Sequence, residues 1–81
     1  MGSTSKNLTE EAKIHHIAFI NAKELVKDGY HLIDFGYSEK LAETRYNLIH
    51  DNGNRISVVS TECDNSVRIY KNNKLTNTIK I

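Results

Sequence analysis

Residues 46–58 read YNLIHDNGNRISV, and this stretch contains the strongest local structural signal in the sequence. The segment Asp51–Asn54 is a strong turn signal, because Asn and Gly readily adopt the positive φ that tight hairpin turns require. On both sides of the turn, apolar residues recur at every second position, which is typical of β-strands. The stretch therefore predicts two antiparallel strands joined by a tight turn.

The same alternation predicts the register of this hairpin. A three-residue loop over 52–54 collects the larger apolar side chains on one face, whereas a two-residue loop scatters them. The expected pairs are His50 with Ile56, Leu48 with Val58, and Tyr46 with Ser60. The shared face then carries Tyr46, Leu48, Ile56 and Val58.

Strand-like alternation extends outward in both directions. Upstream, it predicts one face with His31, Ile33, Phe35 and Tyr37 and an opposite face with Tyr30, Leu32 and Asp34. Residues 38–43 are polar and predict a connection or a single helical turn. Downstream, turn signals at 64–66 and 72–74 predict two more strands. A three-residue loop at the second of these turns places Val67, Ile69, Leu75, Ile79 and Ile81 on one face.

The N-terminal part of the chain favours a helix over about residues 10–28. Thr9 is a suitable N-cap, and Glu10 and Glu11 follow it where the helix dipole favours carboxylates. Gly29 suits the left-handed position after the last turn. An alternative stays open: residues 14–20 are β-branched enough for a strand, in which case a helix begins near Asn21 and the fold starts strand–helix–strand.

These elements predict an α+β fold with one N-terminal helix packed on a four- to five-stranded antiparallel meander sheet. We expect a flexible segment over 1–8 and a single small domain over 9–81. A chain of 81 residues has material for one thin hydrophobic core. The pattern leaves open which face of the sheet the helix covers.

Composition narrows the function classes. Hydrophobic residues are 38% of the chain and no apolar run approaches the ~20 residues of a membrane span, so we expect no membrane association. A single cysteine excludes an internal disulfide and favours an intracellular, cytoplasmic location. Asn, Ile and Lys number 9, 9 and 8, which fits an AT-rich bacterial, phage or mobile-element genome.

Catalytic and metal-binding patterns are weak. His15 and His16 are adjacent and point in different directions, and no H-x-x-x-H spacing occurs. Cys63 has no neighbour that would activate it as a nucleophile with His50 as its base. The four glycines are isolated, so no phosphate-binding loop is formed. The sequence therefore predicts no enzyme activity, no metal site and no cofactor.

Binding is the better prediction. Residues 1–44 hold five Lys and seven Asp or Glu, a net charge of −2, whereas residues 45–81 have a net charge of +3. The alternation places Arg45, Asn47 and Arg55 on one sheet face, and Arg68 with Tyr70 opposite Val67 and Ile69. Tyr37 and Tyr46 are further candidates to interleave with these cations. Such a face can contact phosphates and stack on bases, and Tyr and Arg are also favoured protein-interface anchors.

The run from Asn21 to Ser66 resembles small phage-encoded anti-CRISPR inhibitors of Cas9. The resemblance rests on AKELVKDGY (22–30), HLIDF (31–35), the hairpin DNGN (51–54) and the acidic stretch STECD (60–64). It implies a protein partner blocked by charge or bulk, with Glu39, Glu43, Glu62 and Asp64 as contacts. The chain differs from that group in being nearly neutral and in ending with a basic hairpin.

The sequence thus predicts a small non-enzymatic protein-binding inhibitor or regulator that occludes a partner surface, with a Cas9-type nuclease as a possible target. The alternative is a small nucleic-acid-binding module that uses the basic and aromatic sheet face. A homodimer through the edge strand Leu75–Ile81 could accompany either function. The predicted partner-binding residues are Tyr37, Glu39, Glu43, Arg45, Arg55, Glu62, Asp64, Arg68 and Tyr70.

Overall fold

A computed structural model describes the backbone of residues 2–80 and the side chains of residues 13–80. The elements are one helix and five strands: α1 (Gly2–Lys27), β1 (Tyr30–Ser38), β2 (Glu43–His50), β3 (Arg55–Thr61), β4 (Ser66–Lys71) and β5 (Lys74–Lys80). The strands form a single antiparallel sheet in the order β1-β2-β3-β4-β5. The helix packs on one face of the sheet and contacts β1 to β4. This confirms the predicted α+β fold class.

Helix α1 is longer than the sequence predicts at its N-terminus. It begins at Gly2, so Thr9 lies inside the helix and is not its cap. Residues 14–20 are helical, and the strand–helix–strand alternative is wrong. The C-terminus is as predicted: the Asp28 N–H donates to the Glu24 carbonyl over 3.1 Å, and Gly29 follows with a φ of 101°.

The core lies between one stripe of α1 and the centre of the sheet. Ile14, Ala18 and Ala22 recur at intervals of four and are buried, because this spacing keeps them on one side of the helix. The small alanines let the helix approach the sheet closely. They pack against the buried Leu48 and Val58, together with Val67, and the partly buried rim consists of Ile17, Leu25, Tyr30, Tyr46, Ile56 and Ile79.

The central hairpin has the predicted face but not the predicted register. Leu48 pairs with Ile56 and Tyr46 with Val58, each two residues from the expected partner. The reason is that the loop covers 51–53: the His50 N–H donates to the Asn54 carbonyl over 2.8 Å, and Gly53 has a φ of 93°. A shift by two residues preserves the face because side chains alternate with period two.

The last hairpin turns more tightly than predicted. Lys71 pairs with Lys74, so the loop contains only Asn72 and Asn73, both with positive φ as a type I′ turn requires. A register shift between Ile69 and Tyr70 then places Leu75 opposite Tyr70, on the face away from Ile79. The prediction that Leu75 shares a face with Ile79 is therefore wrong, and Ile81 lies outside the described residues.

Strand β1 contains an irregularity that the alternation did not predict. Leu32 pairs with Leu48 and Phe35 with Tyr46, with a register shift between Leu32 and Asp34. The extra residue, Ile33, forms a β-bulge that changes which side chains share a face. Leu32 and Phe35 both lie on the helix side of the sheet, which corrects the predicted grouping of Ile33 with Phe35.

Candidate functional site

Strand β1 is an edge of the sheet, and its apolar side chains are exposed. On the helix side, Leu32, Phe35 and Tyr37 have exposed fractions of 50%, 56% and 57%. The helix contacts β1 but leaves at least half of each of these three side chains exposed. An uncovered apolar edge strand is a surface to which another strand can add, and natural proteins usually avoid it. The β1 edge is therefore the first candidate binding site.

The backbone of β1 also has groups that point away from the sheet. The His50 N–H donates to the Asn54 carbonyl and the His50 carbonyl accepts from the Gly53 N–H, so both groups of His50 point toward β3. In the alternating antiparallel pattern, the backbone groups of Leu48 and Tyr46 then also point toward β3. The intervening residues of β2 bond to β1. Their partners are His31, Asp34 and Gly36, which leaves the N–H and C=O groups of Tyr30, Leu32, Phe35 and Tyr37 directed outward.

An apolar groove runs between this edge and the helix. Phe19 and Val26 form its helix wall, Leu32 forms its sheet wall, and the volume is about 210 Å³. The remaining lining residues are Ala22, Lys23, Tyr46 and Leu48. The Phe35 ring packs on Tyr46 with centroids 4.9 Å apart and prolongs the groove along β1. Burial raises the pKa of Tyr46, so its phenol is neutral beside the groove.

The opposite, open face of the sheet has a second candidate site built from polar residues. The Asn47 amide donates to Asp34 Oδ2 over 3.2 Å, and the Ser57 hydroxyl donates to Asn47 Oδ1 over 2.7 Å. Arg45 and Arg55 lie on the same face on either side of this row. These residues line a cavity of about 290 Å³ together with Ile33 and Asn73.

The arginines of this face differ in whether they are paired. Arg68 donates to Asp64 over 2.7 Å, and the Ser66 hydroxyl donates to the same carboxylate over 2.6 Å. The Ser66 hydrogen bond and the nearby Arg68 and Lys80 charges lower the pKa of Asp64. Arg45 and Arg55 form no ion pair with any residue in the described part of the chain. The arginines of this face that are free of ion pairs within the described residues are therefore Arg45 and Arg55.

A Ser–His–Glu arrangement joins the helix to the sheet. The two ring nitrogens of His15 lie 2.8 Å from Ser60 Oγ and 2.8 Å from Glu62 Oε2. The arrangement has the residue types of a hydrolytic triad, but Ser60 is completely buried and a substrate in solution cannot reach its hydroxyl. These contacts anchor α1 to the end of β3.

The predicted partner-binding residues separate into different surfaces. Arg45, Arg55, Arg68 and Tyr70 share the open face, as predicted. Tyr37 and Tyr46 lie on the helix side, which corrects their expected interleaving with the arginines. Glu62 and Asp64 are engaged by His15 and Arg68 respectively. Glu39 is exposed in the 39–42 turn, and Glu43 is half-buried at the start of β2.

The groove itself, and Phe19 and Val26 as its helix wall, were absent from the sequence prediction. Phe19 and Val26 lie outside the buried Ile14–Ala18–Ala22 stripe and are exposed. Large apolar residues beside a buried helix stripe are a sequence signal for an exposed apolar surface. Leu32 was grouped with Asp34 and opposite Phe35, which is wrong because the bulge at Ile33 has no signature in the alternation.

The comparisons with known proteins give no match: no family model, curated protein or solved structure resembles the chain significantly. Within the described residues, no group of three or more His, Cys, Asp or Glu side chains is placed to hold a metal ion. No helix in the same part of the chain combines the length and apolar character needed to cross a membrane.

Proposed function

We propose that this protein is a small non-enzymatic binding module that captures an extended segment of another protein by strand addition to β1. The observation that carries the proposal is the combination of outward-directed backbone groups and exposed apolar side chains on this edge. In strand addition, main-chain hydrogen bonds supply affinity and pockets for alternate side chains supply specificity.

The groove indicates the chemistry of the captured segment. A strand added beside β1 would direct every second side chain to the helix side, next to Leu32 and Phe35 and above the wall formed by Phe19 and Val26. Lys23 lies at the rim and has no ion-pair partner among the described residues. The fitting segment therefore has apolar residues at alternate positions and an acidic residue where it passes the helix.

The charge of β1 favours a different protein over a second copy as the occupant. Asp34 is the middle residue of the nine-residue strand. In a fully overlapped antiparallel pair of two β1 strands, the two Asp34 carboxylates would lie side by side. Like charges in such cross-strand positions are destabilising.

Capture of this kind supports a role as an inhibitor or regulator, because a partner segment held in the sheet is withheld from its own contacts. The resemblance in residues 21–66 makes a Cas9-type nuclease the first partner to test, and a phage or mobile-element origin fits that choice. Glu39 and Glu43, near the end of the β1 edge, are the acidic contacts that remain available in this proposal.

The test is selection from a random twelve-residue peptide library, followed by affinity measurements with edge variants. Phe35→Pro removes an outward N–H while leaving the bonds to β2, because proline is tolerated on the open side of an edge strand. Phe35→Ala removes the ring but keeps the backbone N–H, so comparing it with Phe35→Pro shows the effect of losing the N–H. Thr78→Pro is the control on the other edge strand, β5, where the same pattern directs the Thr78 N–H outward; there it donates to the Asn77 side chain over 2.9 Å and not to another strand.

We expect selected peptides with alternating apolar residues whose affinity falls about tenfold or more with Phe35→Pro, less with Phe35→Ala, and not with Thr78→Pro. Circular dichroism checks that each variant is folded. Peptides that bind all variants equally would contradict the proposal. Concentration-dependent dimerisation that only Phe35→Pro abolishes would instead identify a second copy as the occupant.

A further inference from the structure

The open face of the sheet carries a row of four residues that cross four neighbouring strands. Asp34, Asn47, Ser57 and Tyr70 are paired in sequence from β1 to β4, so their side chains stand side by side on this face. The hydrogen bonds from Ser57 to Asn47 and from Asn47 to Asp34 orient the polar members of the row. The row thus has a carboxylate at one end and an aromatic ring at the other.

Two cations flank the middle of this row. Arg45 precedes Asn47 by two residues on β2, and Arg55 precedes Ser57 by two residues on the antiparallel strand β3. They therefore approach the row from opposite sides. Both are exposed, and neither has an acidic partner within the described residues. A guanidinium group presents a planar set of donors that matches the oxygens of a phosphate.

A cavity lined by Asp34, Asn47, Ser57 and the two arginines has the size and the hydrogen-bonding groups for a small polar ligand. Its volume is about 290 Å³, near the lower end of small-molecule sites. Tyr70, which is half-buried, does not line this cavity but is paired with Ser57 at its border. Asp34 has a second carboxylate oxygen that no other described residue contacts, and Asn47 has a second amide N–H. These groups can accept from and donate to the polar edge of a ligand.

We propose that this face, here called the Arg45–Arg55 site, binds a nucleoside phosphate. The phosphate lies between Arg45 and Arg55, and the base packs against Tyr70, the ring at the end of the row. Asn47 lies between the two arginines, and its second amide N–H can donate to the phosphate. The ligand is either a free nucleotide or one unit of a single-stranded nucleic acid, because both present the same phosphate and base.

The arrangement fits a nucleoside phosphate better than an acidic peptide. A base has a flat ring that can stack on Tyr70, whereas the side chains of a carboxylate-rich peptide do not. Stacking of bases on exposed aromatic residues of a sheet is a common mode of single-strand recognition. The site lies on the face opposite the groove and does not depend on the function proposed above.

The test measures binding of a fluorescent twelve-nucleotide thymidine strand by anisotropy, with thymidine monophosphate as a competitor. The binding-site variants are R45Q/R55Q and Tyr70→Leu, with Tyr70→Phe to retain the ring. The charge-matched control is K13Q/K40Q, which removes two exposed cations from the helix and the 39–42 turn. Thermal unfolding checks that all variants are folded.

We expect R45Q/R55Q and Tyr70→Leu each to weaken binding of the strand about tenfold or more, while Tyr70→Phe and K13Q/K40Q change it less than about threefold. The logarithmic salt slope for the strand should be about −1.4 for two phosphate contacts and should approach zero in R45Q/R55Q. Competition by the mononucleotide at a similar concentration identifies a free nucleotide as the ligand, and competition only at a large excess identifies the strand.

Three results would overturn the proposal. The first is no binding of either probe at low salt. The second is equal weakening of binding by R45Q/R55Q and K13Q/K40Q. The third is displacement of the strand by a polyglutamate peptide whose own binding requires the two arginines but not the Tyr70 ring. That result would reassign the site to acidic proteins.

Discussion

Strands β1 and β3 are both rich in apolar residues, yet one is exposed and the other is buried. Seven of the nine residues of β1 are exposed, whereas the last four residues of β3 are buried. The difference arises from position: β3 is the central strand beneath α1, and β1 is an edge that the helix only partly covers. We therefore expect stability to be concentrated around β3, whereas the apolar side chains of β1 remain exposed.

The pair Leu32 and Leu48 gives the largest expected contrast. The two leucines face each other across β1 and β2, but their exposed fractions are 50% and 1%. Leu48→Ala leaves a cavity in the core and should lower the free energy of unfolding by about 3 kcal/mol. Leu32→Ala should lower it by less than about 1 kcal/mol, because much of that side chain already contacts water.

Urea unfolding followed by circular dichroism measures both changes. The affinity for a selected peptide should show the opposite order for Leu32→Ala. This substitution should lower peptide affinity by more free energy than it lowers the free energy of unfolding. Equal losses of stability from the two substitutions would mean that β1 contributes as much to stability as the centre of the sheet, and would contradict this contrast.

The His15 anchor is the next contrast, because it joins α1 to the end of β3 and not to β1. His15→Ala removes a partner of the buried Ser60 hydroxyl and should lower the free energy of unfolding by about 2 kcal/mol. The neighbouring His16 is exposed, and His16→Ala should have an effect near zero. In a double-mutant cycle, Ser60→Ala should add little to His15→Ala, and full additivity would mean that the two side chains act independently.

The sequence was sufficient to predict the helix, the order of the strands and the face shared by Tyr46, Leu48, Ile56 and Val58. That face was predicted correctly despite a register error of two residues, since alternation is unchanged by such a shift. The bulge at Ile33 reversed the prediction for part of β1, because an extra residue leaves no mark on an apolar run.

The two candidate sites differ in how far the sequence could predict them, because one depends on local alternation and the other on tertiary packing. Arg45, Asn47 and Arg55 were grouped correctly, because their shared face follows from local alternation. The groove formed by Phe19, Val26 and Leu32 was not predicted, because it depends on how far the helix reaches across the sheet. That distance is set by tertiary packing of Ala18 and Ala22, which the alternation does not contain.

Two glycines that lead into the contrasted strands offer a smaller test. Gly29 precedes β1 and Gly53 precedes β3, with φ values of 101° and 93°. A Cβ at Gly29 would lie 2.9 Å from the His50 ring, whereas a Cβ at Gly53 meets open space. Gly29→Ala should therefore cost about 1.5 kcal/mol and Gly53→Ala about 1 kcal/mol, measured by thermal unfolding. A larger loss of stability from Gly53→Ala than from Gly29→Ala would contradict this order. It would mean that strain in the turn before β3 costs more than the close approach to the His50 ring before β1.

The smallest expected effect is a pH dependence at the turn between β3 and β4. The Ser66 hydroxyl and the Arg68 charge hold the pKa of Asp64 below its ordinary value of 3.8, so the folded protein favours the ionised carboxylate. This contribution to stability is present above pH 3.8 and is lost as the pH falls through the lower pKa of the folded state.

Asp64→Asn should therefore reduce the loss of stability that the wild type shows between about pH 5 and about pH 2.5. Urea unfolding at several pH values measures the slope of the free energy of unfolding against pH. Ser66→Ala should give an intermediate slope, because it removes the hydrogen bond but keeps the Arg68 charge 2.7 Å from the carboxylate. A slope unchanged by Asp64→Asn would mean that the acid sensitivity resides elsewhere and that this turn does not add to the stability concentrated around β3.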